Sequence, residues 1–395
     1  MTDKTRKYGP NTTIVHAGSD PQNQRGAVNP PVYHVSTVAH PTMDAMREAR
    51  LGSDRNFVYG RHGTPTSMAF EEAAAAIEGG ERAKAVSSGL QAVGAATLAF
   101  VERGDHILML DSVYAPSRRM TEGILAKMGV ETTFYDPLIG AGIAELMRPN
   151  TKVVFTESPA SHTFEVQDIP AIVEEAHKGG AVVIIDNTWS AGHYFKPLAH
   201  GVDVSVQAAT KYWVGHSDAM LGCIITSEDH FPKIRASVAA LGCSAAPDDC
   251  YLGLRGIRTL SVRLERHEQN GLKLAEWFAG QPAVDRVLHP AFDTCPGHEF
   301  WKRDFTGASG LFSVVLNPVG QKAVDAMVDG LELYSLGGSW GGYESLVLPS
   351  SLEGSRTATE WDFSKPCVRF HAGLEDIDDL IEDARAGLNR LNAAA

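Results

Sequence analysis

Cysteine is scarce in this chain of 395 residues: Cys223, Cys243, Cys250, Cys295 and Cys367 are the only five, separated by 20, 7, 45 and 72 positions. The spacing leaves no C-x-x-C pair for zinc or redox work, and an odd, sparse set reads as reduced and cytoplasmic. No stretch approaches 18 consecutive apolar residues, and the start, Met-Thr-Asp-Lys-Thr-Arg-Lys, is polar, so neither membrane spanning nor secretion is expected. Basic residues are outnumbered, 35 against 48 acidic, for a formal charge of −13. That balance argues against nucleic acid as a partner, because phosphate binding draws on clustered Lys and Arg. The 15 histidines include no H-E-x-x-H, and no G-x-G-x-x-G follows a strand, so neither a metal centre nor a dinucleotide fold is expected. Repeats of fixed period and blocks of like charge are missing as well.

What is present is a chain long enough for two to three units at about 150 residues each. Residues 1–60 are irregular, with Asn29-Pro30-Pro31 and Gly52-Ser53-Asp54 as breakers, and read as an arm. From Met68 onward the pattern is regular. A helix is expected over Phe70–Ile77, a strand over Ala83–Val86, and an apolar helix after Ser87-Ser88-Gly89. Further β-rich runs follow at His106–Leu110, Val153–Phe155, Ala181–Ile185 and Val202–Val206, with helical segments such as Ile169–His177 between them. Such alternation implies βαβ units and a mostly parallel sheet over residues 61–255. A charged helix over Arg258–Gly280 opens a smaller α+β region, 256–395, with a strand at Leu311–Leu316 and helices at Gln321–Gly330 and Glu375–Leu391.

In open parallel sheets ligands bind beyond the carboxyl ends of the strands. The polar residues there are Asp111, Glu157, Asp186 and the pair Thr210-Lys211. Val182-Val183-Ile184-Ile185-Asp186 puts a carboxylate at the end of a buried strand, and Lys211 comes 25 residues later. Ser87-Ser88-Gly89-Leu90-Gln91-Ala92 is a strand, a turn of small residues and a helix start, whose N–H groups and dipole suit an anion. A lysine, a buried carboxylate and an anion cradle are together what pyridoxal 5'-phosphate (PLP) requires: a bond to its aldehyde, a partner for its ring nitrogen and a seat for its phosphate. Tyr114, just past the strand ending at Asp111, is placed to stack on the ring.

Tyr59-Gly60-Arg61-His62-Gly63-Thr64-Pro65-Thr66, Ser87–Ala92, Asp186-Asn187-Thr188-Trp189, Ala209-Thr210-Lys211-Tyr212 and Gly215-His216-Ser217-Asp218 occur in this order. Together they resemble the PLP enzymes of cysteine and methionine metabolism, over about residues 10–390. The resemblance implies an α/β, aspartate-aminotransferase-like (PLP fold type I) architecture with a large parallel-sheet domain and a smaller C-terminal domain. It further implies that Lys211 bonds the cofactor, Asp186 pairs with its ring nitrogen and Tyr114 stacks on it. Gly89, Leu90, Ala208 and Thr210 would lie at the phosphate, and Tyr59 and Arg61 would reach it from a neighbouring subunit, in a homotetramer built of dimers. Arg369 would hold the substrate α-carboxylate, and Ser339, Trp340 and Tyr59 would line the substrate pocket. Within the family, Gln207–Tyr212 and Ser339-Trp340-Gly341-Gly342-Tyr343-Glu344-Ser345-Leu346 are similar to the branch that cleaves cystathionine on the β side of sulfur, and cysteine- or cystine-type S-conjugates with it. Gly338 departs from that branch, where a tyrosine is expected. The alternatives are a γ-class member of the family and, remotely, a serine hydrolase, since Gly337-Gly338-Ser339-Trp340-Gly341 matches G-x-S-x-G with Asp362 and His371 following.

Overall fold

The computed structural model describes residues 8–51 and 56–395; the Met1–Lys7 start and the Gly52-Ser53-Asp54 breaker lie outside the described residues. Two sheets organise them. The first has seven strands: β1 (Arg82–Val86), β2 (His106–Leu110), β3 (Glu131–Tyr135), β4 (Thr151–Glu157), β5 (Val182–Asp186), β6 (Val204–Gln207) and β7 (Gly222–Thr226), in the spatial order β1-β7-β6-β5-β4-β2-β3. Neighbours from β3 to β6 are parallel, whereas β7 runs antiparallel to both β6 and β1. Burial on both faces explains the near-continuous apolar runs of β2 and β7, whose every residue is buried; in β6, also wholly buried, Ser205 and Gln207 alternate with Val204 and Val206. The chain leaves β2 for β3 on one side and returns to β4 on the other, so a crevice opens at the carboxyl ends of β2 and β4.

The expected strands all occur, with ends shifted by up to two residues, and β3 and β7 are additional. The first long helix, Pro65–Glu78, begins inside the Tyr59–Thr66 motif. Thr64 and Ser67 form a reciprocal capping box, Pro65 opens the first turn, and Gly79 closes the helix at φ +76. Its buried face carries Phe70, Ala73, Ala74 and Ile77, and Ile14 from the N-terminal segment packs into the same cluster.

The charged helix spans Leu260–Ala279 and is preceded by a separate helix, Pro247–Ile257. Arg258, in the break between them, reaches back to the carbonyls of Ile14 (2.9 Å) and Ala17 (2.7 Å). Beyond lies the second sheet: β8 (Val284–Leu288), β9 (Leu311–Leu316), β10 (Ser335–Leu336), β11 (Leu346–Ser350) and β12 (Cys367–His371), ordered β10-β11-β12-β9-β8 and antiparallel except for β10 with β11. Helices Gln321–Asp329 and Ile377–Ala394 cover it through Val324, Met327, Leu380 and Leu388. The sheets meet at a third cluster, where the Trp189 indole donates to the Leu311 carbonyl at 3.0 Å. Trp189 is three positions beyond Asp186, so this contact brings β5's carboxyl end against the second sheet.

Candidate active site

Asp186 ends β5, and its Oδ1 accepts from the Thr188 N–H (3.0 Å) and hydroxyl (2.5 Å). The Thr188 hydroxyl in turn accepts the Ala208 N–H at 2.9 Å, which ties the ends of β5 and β6 together. Burial raises the Asp186 carboxyl above its ordinary value, against the Thr188 hydrogen bonds and the nearby charge of Lys211. A cation placed against it would restore the carboxylate.

Beside it in register stands Glu157, the last residue of β4. Its Oε2 accepts the Tyr114 N–H at 2.8 Å, so the tyrosine loop after β2 is held across the crevice. Burial first, then the Asp186 charge, pushes the Glu157 carboxyl well up. Tyr114 as a residue is 45% exposed, which leaves it accessible to a flat ligand. Asp111, a strand-end carboxylate expected at the crevice, is instead consumed: it accepts the N–H groups of Thr357, Ala358 and Thr359 within 3.0 Å and Arg118 at 3.1 Å. It fastens the β11–β12 connection to the first sheet.

Lys211 lies in the tight turn after β6, where its N–H bonds the Ala208 carbonyl (3.0 Å) and its carbonyl takes the Gly215 N–H (2.8 Å). Its Nζ donates to Ser339 Oγ at 2.7 Å and stands 5.3 Å from the Trp340 ring centre. Burial, helped by the Arg369 charge and opposed by Asp186, brings the ammonium down from 10.5 to about 8. At neutral pH that leaves roughly a tenth of it as free amine, far more than an exposed lysine has.

Arg369 on β12 is buried, and its Nη2 donates to the carbonyls of Gly338 and Ser339, both at 3.2 Å. Two residues on, His371 Nε2 accepts the Gly341 N–H at 3.1 Å while its Nδ1 lies 3.1 Å from the Glu344 carbonyl. Gly341 sits at φ +85, and a Cβ there would come 2.8 Å from the Tyr212 nitrogen and 2.9 Å from the Lys211 carbonyl carbon. Only glycine lets this loop press on the lysine. The serine-hydrolase alternative lacks its geometry: Ser339 faces Lys211, His371 is occupied by Gly341, and Asp362 bonds Ser364.

The anion cradle forms where Gly89 meets Ala208. A Cβ on Gly89 would fall 2.5 Å from the Ala208 Cβ, so the helix Gly89–Leu98 can start hard against the Lys211 turn. Ser88 caps it by accepting the Gln91 N–H at 3.2 Å, while the N–H groups of Gly89 and Leu90 have no acceptor within the helix. Thr210 is less available than expected, because its hydroxyl accepts from the Leu221 N–H (2.9 Å) and donates to the Leu221 carbonyl (3.1 Å). Tyr59 and Arg61 are not brought to Lys211 within one chain. Tyr59 is 43% exposed and bridges to Thr37; Arg61 donates to the Ala239 carbonyl at 3.0 Å. Arg61 lines a separate cavity of about 1160 Å³ with His62, Lys84 and Glu71, and neither Lys211 nor Asp186 reaches it.

The residues present therefore fit PLP: a lysine with a depressed ammonium, a buried carboxylate lacking a full counter-ion, a glycine-opened helix N-terminus and an aromatic face share one crevice. Comparison with known proteins agrees. The chain matches the family described as Cys/Met metabolism PLP-dependent enzyme over residues 11–389. It is 47% identical to a protein named putative cystathionine β-lyase from Rhizobium johnstonii, over 100% of both chains. It is 45% identical to the cystathionine β-lyase of Escherichia coli, over 96% of this chain and 98% of that one. A solved cystathionine γ-synthase from Xanthomonas oryzae pv. oryzae, in complex with aminoacrylate and cysteine, superposes with a TM-score of 0.90 at 30% identity, covering 99% of this chain and 100% of that one. Fold, crevice and full-length similarity lead to one conclusion, that this chain belongs to the PLP-dependent enzymes of cysteine and methionine metabolism.

Proposed function

We propose that the protein is a carbon–sulfur β-lyase that converts cystathionine and water to homocysteine, pyruvate and ammonia. The observation carrying this is the full-length similarity, at 45–47% identity, to chains named cystathionine β-lyase, against 30% for the γ-synthase structure. Cysteine- and cystine-type S-conjugates share the cleaved Cβ–S bond and are proposed as further substrates. When bound, PLP supplies an electron sink for the charge left at the substrate Cα.

The chain's own groups do the rest. Arg369 offers a rigid planar fork for the α-carboxylate, and its burial makes that contact strong. Lys211 Nζ, once free, takes the Cα proton, and the Ser339 hydroxyl at 2.7 Å holds it in place. Burial and the carboxylates of Asp186 and Glu157 push the Tyr114 phenol up, so it keeps its proton; Tyr114 and Lys211 are the two proposed donors of a proton to the departing sulfur. Asp186 pairs its carboxylate with the ring nitrogen, Ala208 and the N–H groups of Gly89 and Leu90 receive the phosphate with Thr210 beside them, and Trp340 walls the substrate side.

The working site on this reading needs a second copy. Tyr59 bridges Thr37 and Arg61 donates to the Ala239 carbonyl, away from their own Lys211, and on this reading they would serve a neighbour's phosphate and substrate, in dimers that pair into a tetramer. The arm (1–60), the cofactor domain (61–255) and the C-terminal domain (256–395) would then be the units of assembly. Five free, buried cysteines support a reducing, cytoplasmic setting.

The keto acid formed from cystathionine tests the reaction class. The PLP-loaded protein should release pyruvate in step with homocysteine thiol. Release of 2-oxobutyrate with cysteine would instead place it in the γ class.

A further inference from the structure

Glu78 ends the helix Pro65–Glu78, is wholly buried, and has no part in the chemistry above. Three side chains donate to its carboxylate: Asn187 Nδ2 at 3.0 Å, Ser205 Oγ at 3.1 Å, and Gln207 Nε2. Two of these donors are direct chain neighbours of proposed cofactor contacts, since Asn187 follows Asp186 and Gln207 precedes Ala208. Gln207 Nε2 also donates to the Asn187 carbonyl at 2.8 Å. The Asn187 amide cannot turn over freely, because its Oδ1 accepts the Ser190 hydroxyl at 2.6 Å while its Nδ2 also donates to the Phe195 carbonyl at 3.2 Å.

Room for the carboxylate is made by Gly192, at φ +62, where a Cβ would lie 2.6 Å from Glu78 Oε1. Charge balance comes from Lys196, whose ammonium donates to the Ile77 and Gly192 carbonyls and offsets part of the burial that pushes the Glu78 carboxyl up to about 7. An apolar side chain at 78 would avoid that desolvation cost, as buried ion pairs are commonly replaceable by hydrophobic residues. A carboxylate here does what no apolar residue does: one acceptor fixes the ends of two parallel strands.

We infer that Glu78 is a positioning residue for PLP. By holding Asn187 and Gln207 it sets the spacing between Asp186, at the ring nitrogen, and Ala208, at the phosphate. The inference rests on the proposed cofactor roles of Asp186 and Ala208.

Glu78→Gln tests it, because the new amide turns a donor toward groups that are themselves donors. PLP affinity should weaken roughly 10- to 100-fold, taking as the scale the loss seen when partners that orient metal ligands are removed. The rise in Tm that PLP causes should shrink with it. Pairing Glu78→Gln with Asn187→Asp exchanges donor and acceptor between the two side chains but gives up the Asn187 bond to the Phe195 carbonyl, so it should recover only part of the affinity. A residue of merely structural importance would lower Tm equally with and without PLP and leave its dissociation constant unchanged, which overturns the inference. Should Glu78→Gln fail to fold, Gln207→Met keeps Glu78 and removes one tether: weakened PLP binding supports the inference, and unchanged binding overturns it. Asp186→Ala separates the two levels. If it binds PLP as the unaltered protein does, the reading of the site falls; if it weakens PLP while Glu78→Gln does not, only the role of Glu78 falls.

Discussion

Lys211→Ala is expected to abolish covalent retention of PLP and to lower kcat by about 10³-fold or more, since both the bond to the cofactor and the Cα proton acceptor disappear. No other described lysine near the first sheet's carboxyl ends is placed to substitute. Lys84 Nζ is held by the His62 carbonyl at 2.9 Å and Glu71 at 3.0 Å, and Lys196 is bonded to the carbonyls of Ile77 and Gly192. The effect should appear as loss of the yellow absorption band together with loss of turnover. The pH dependence follows from the same environment: the ammonium lies at about 8, so capture of added PLP by the cofactor-free protein should quicken as pH rises from 7 to 9. Retention of more than about a tenth of the turnover by the alanine variant would contradict a catalytic lysine.

Asp186→Asn is the second large effect. The asparagine Oδ1 still accepts both Thr188 donors, so the local fold should persist, whereas the charge that keeps the ring nitrogen protonated is lost. Removal of one preorganised electrostatic partner costs about 2.7–4 kcal/mol, so kcat should fall roughly 10²- to 10³-fold. KM should change little, because the substrate carboxylate belongs to Arg369. Glu157 cannot replace the lost charge: its carboxyl is engaged by the Tyr114 N–H and burial holds it well above the ordinary carboxylate range. Steady-state kinetics on the PLP-loaded variant measures the split, and a variant with unchanged kcat would remove Asp186 from the chemistry.

Much of this is legible in the sequence because function sits at strand ends. Lys211, Asp186 and Gly89 each mark a change from an apolar run to a turn or helix, and β2 and β5 announce themselves by the runs Ile107-Leu108-Met109-Leu110 and Val182-Val183-Ile184-Ile185. β3 is hidden because it lies at the sheet edge, where Glu-Thr-Thr-Phe-Tyr buries fully only its last residue. β12 is hidden for the opposite reason: all five of its residues are buried, yet they include Arg369 and His371, whose polarity masks the strand. The supporting residues are less visible still. Glu78 meets Asn187 across 109 positions, and Glu157 meets Tyr114 across 43, so no local spacing connects them. Glu157 shows in the sequence as a polar strand end without a partner, and His371 only as part of a triad pattern that the fold does not build. What such residues have in common is burial without a local hydrogen-bond partner, a property of the folded chain alone. Tyr59 and Arg61 add a further kind of limit, since their proposed target belongs to another copy of the chain.

The central claim is that Lys211 is the residue that carries PLP. Reducing the PLP-loaded protein with borohydride, digesting it and locating the pyridoxyl group by mass spectrometry tests this directly. The account predicts the label on Lys211, in near-stoichiometric yield; a label on Lys84, Lys196 or any other lysine, with Lys211 unmodified, would contradict it.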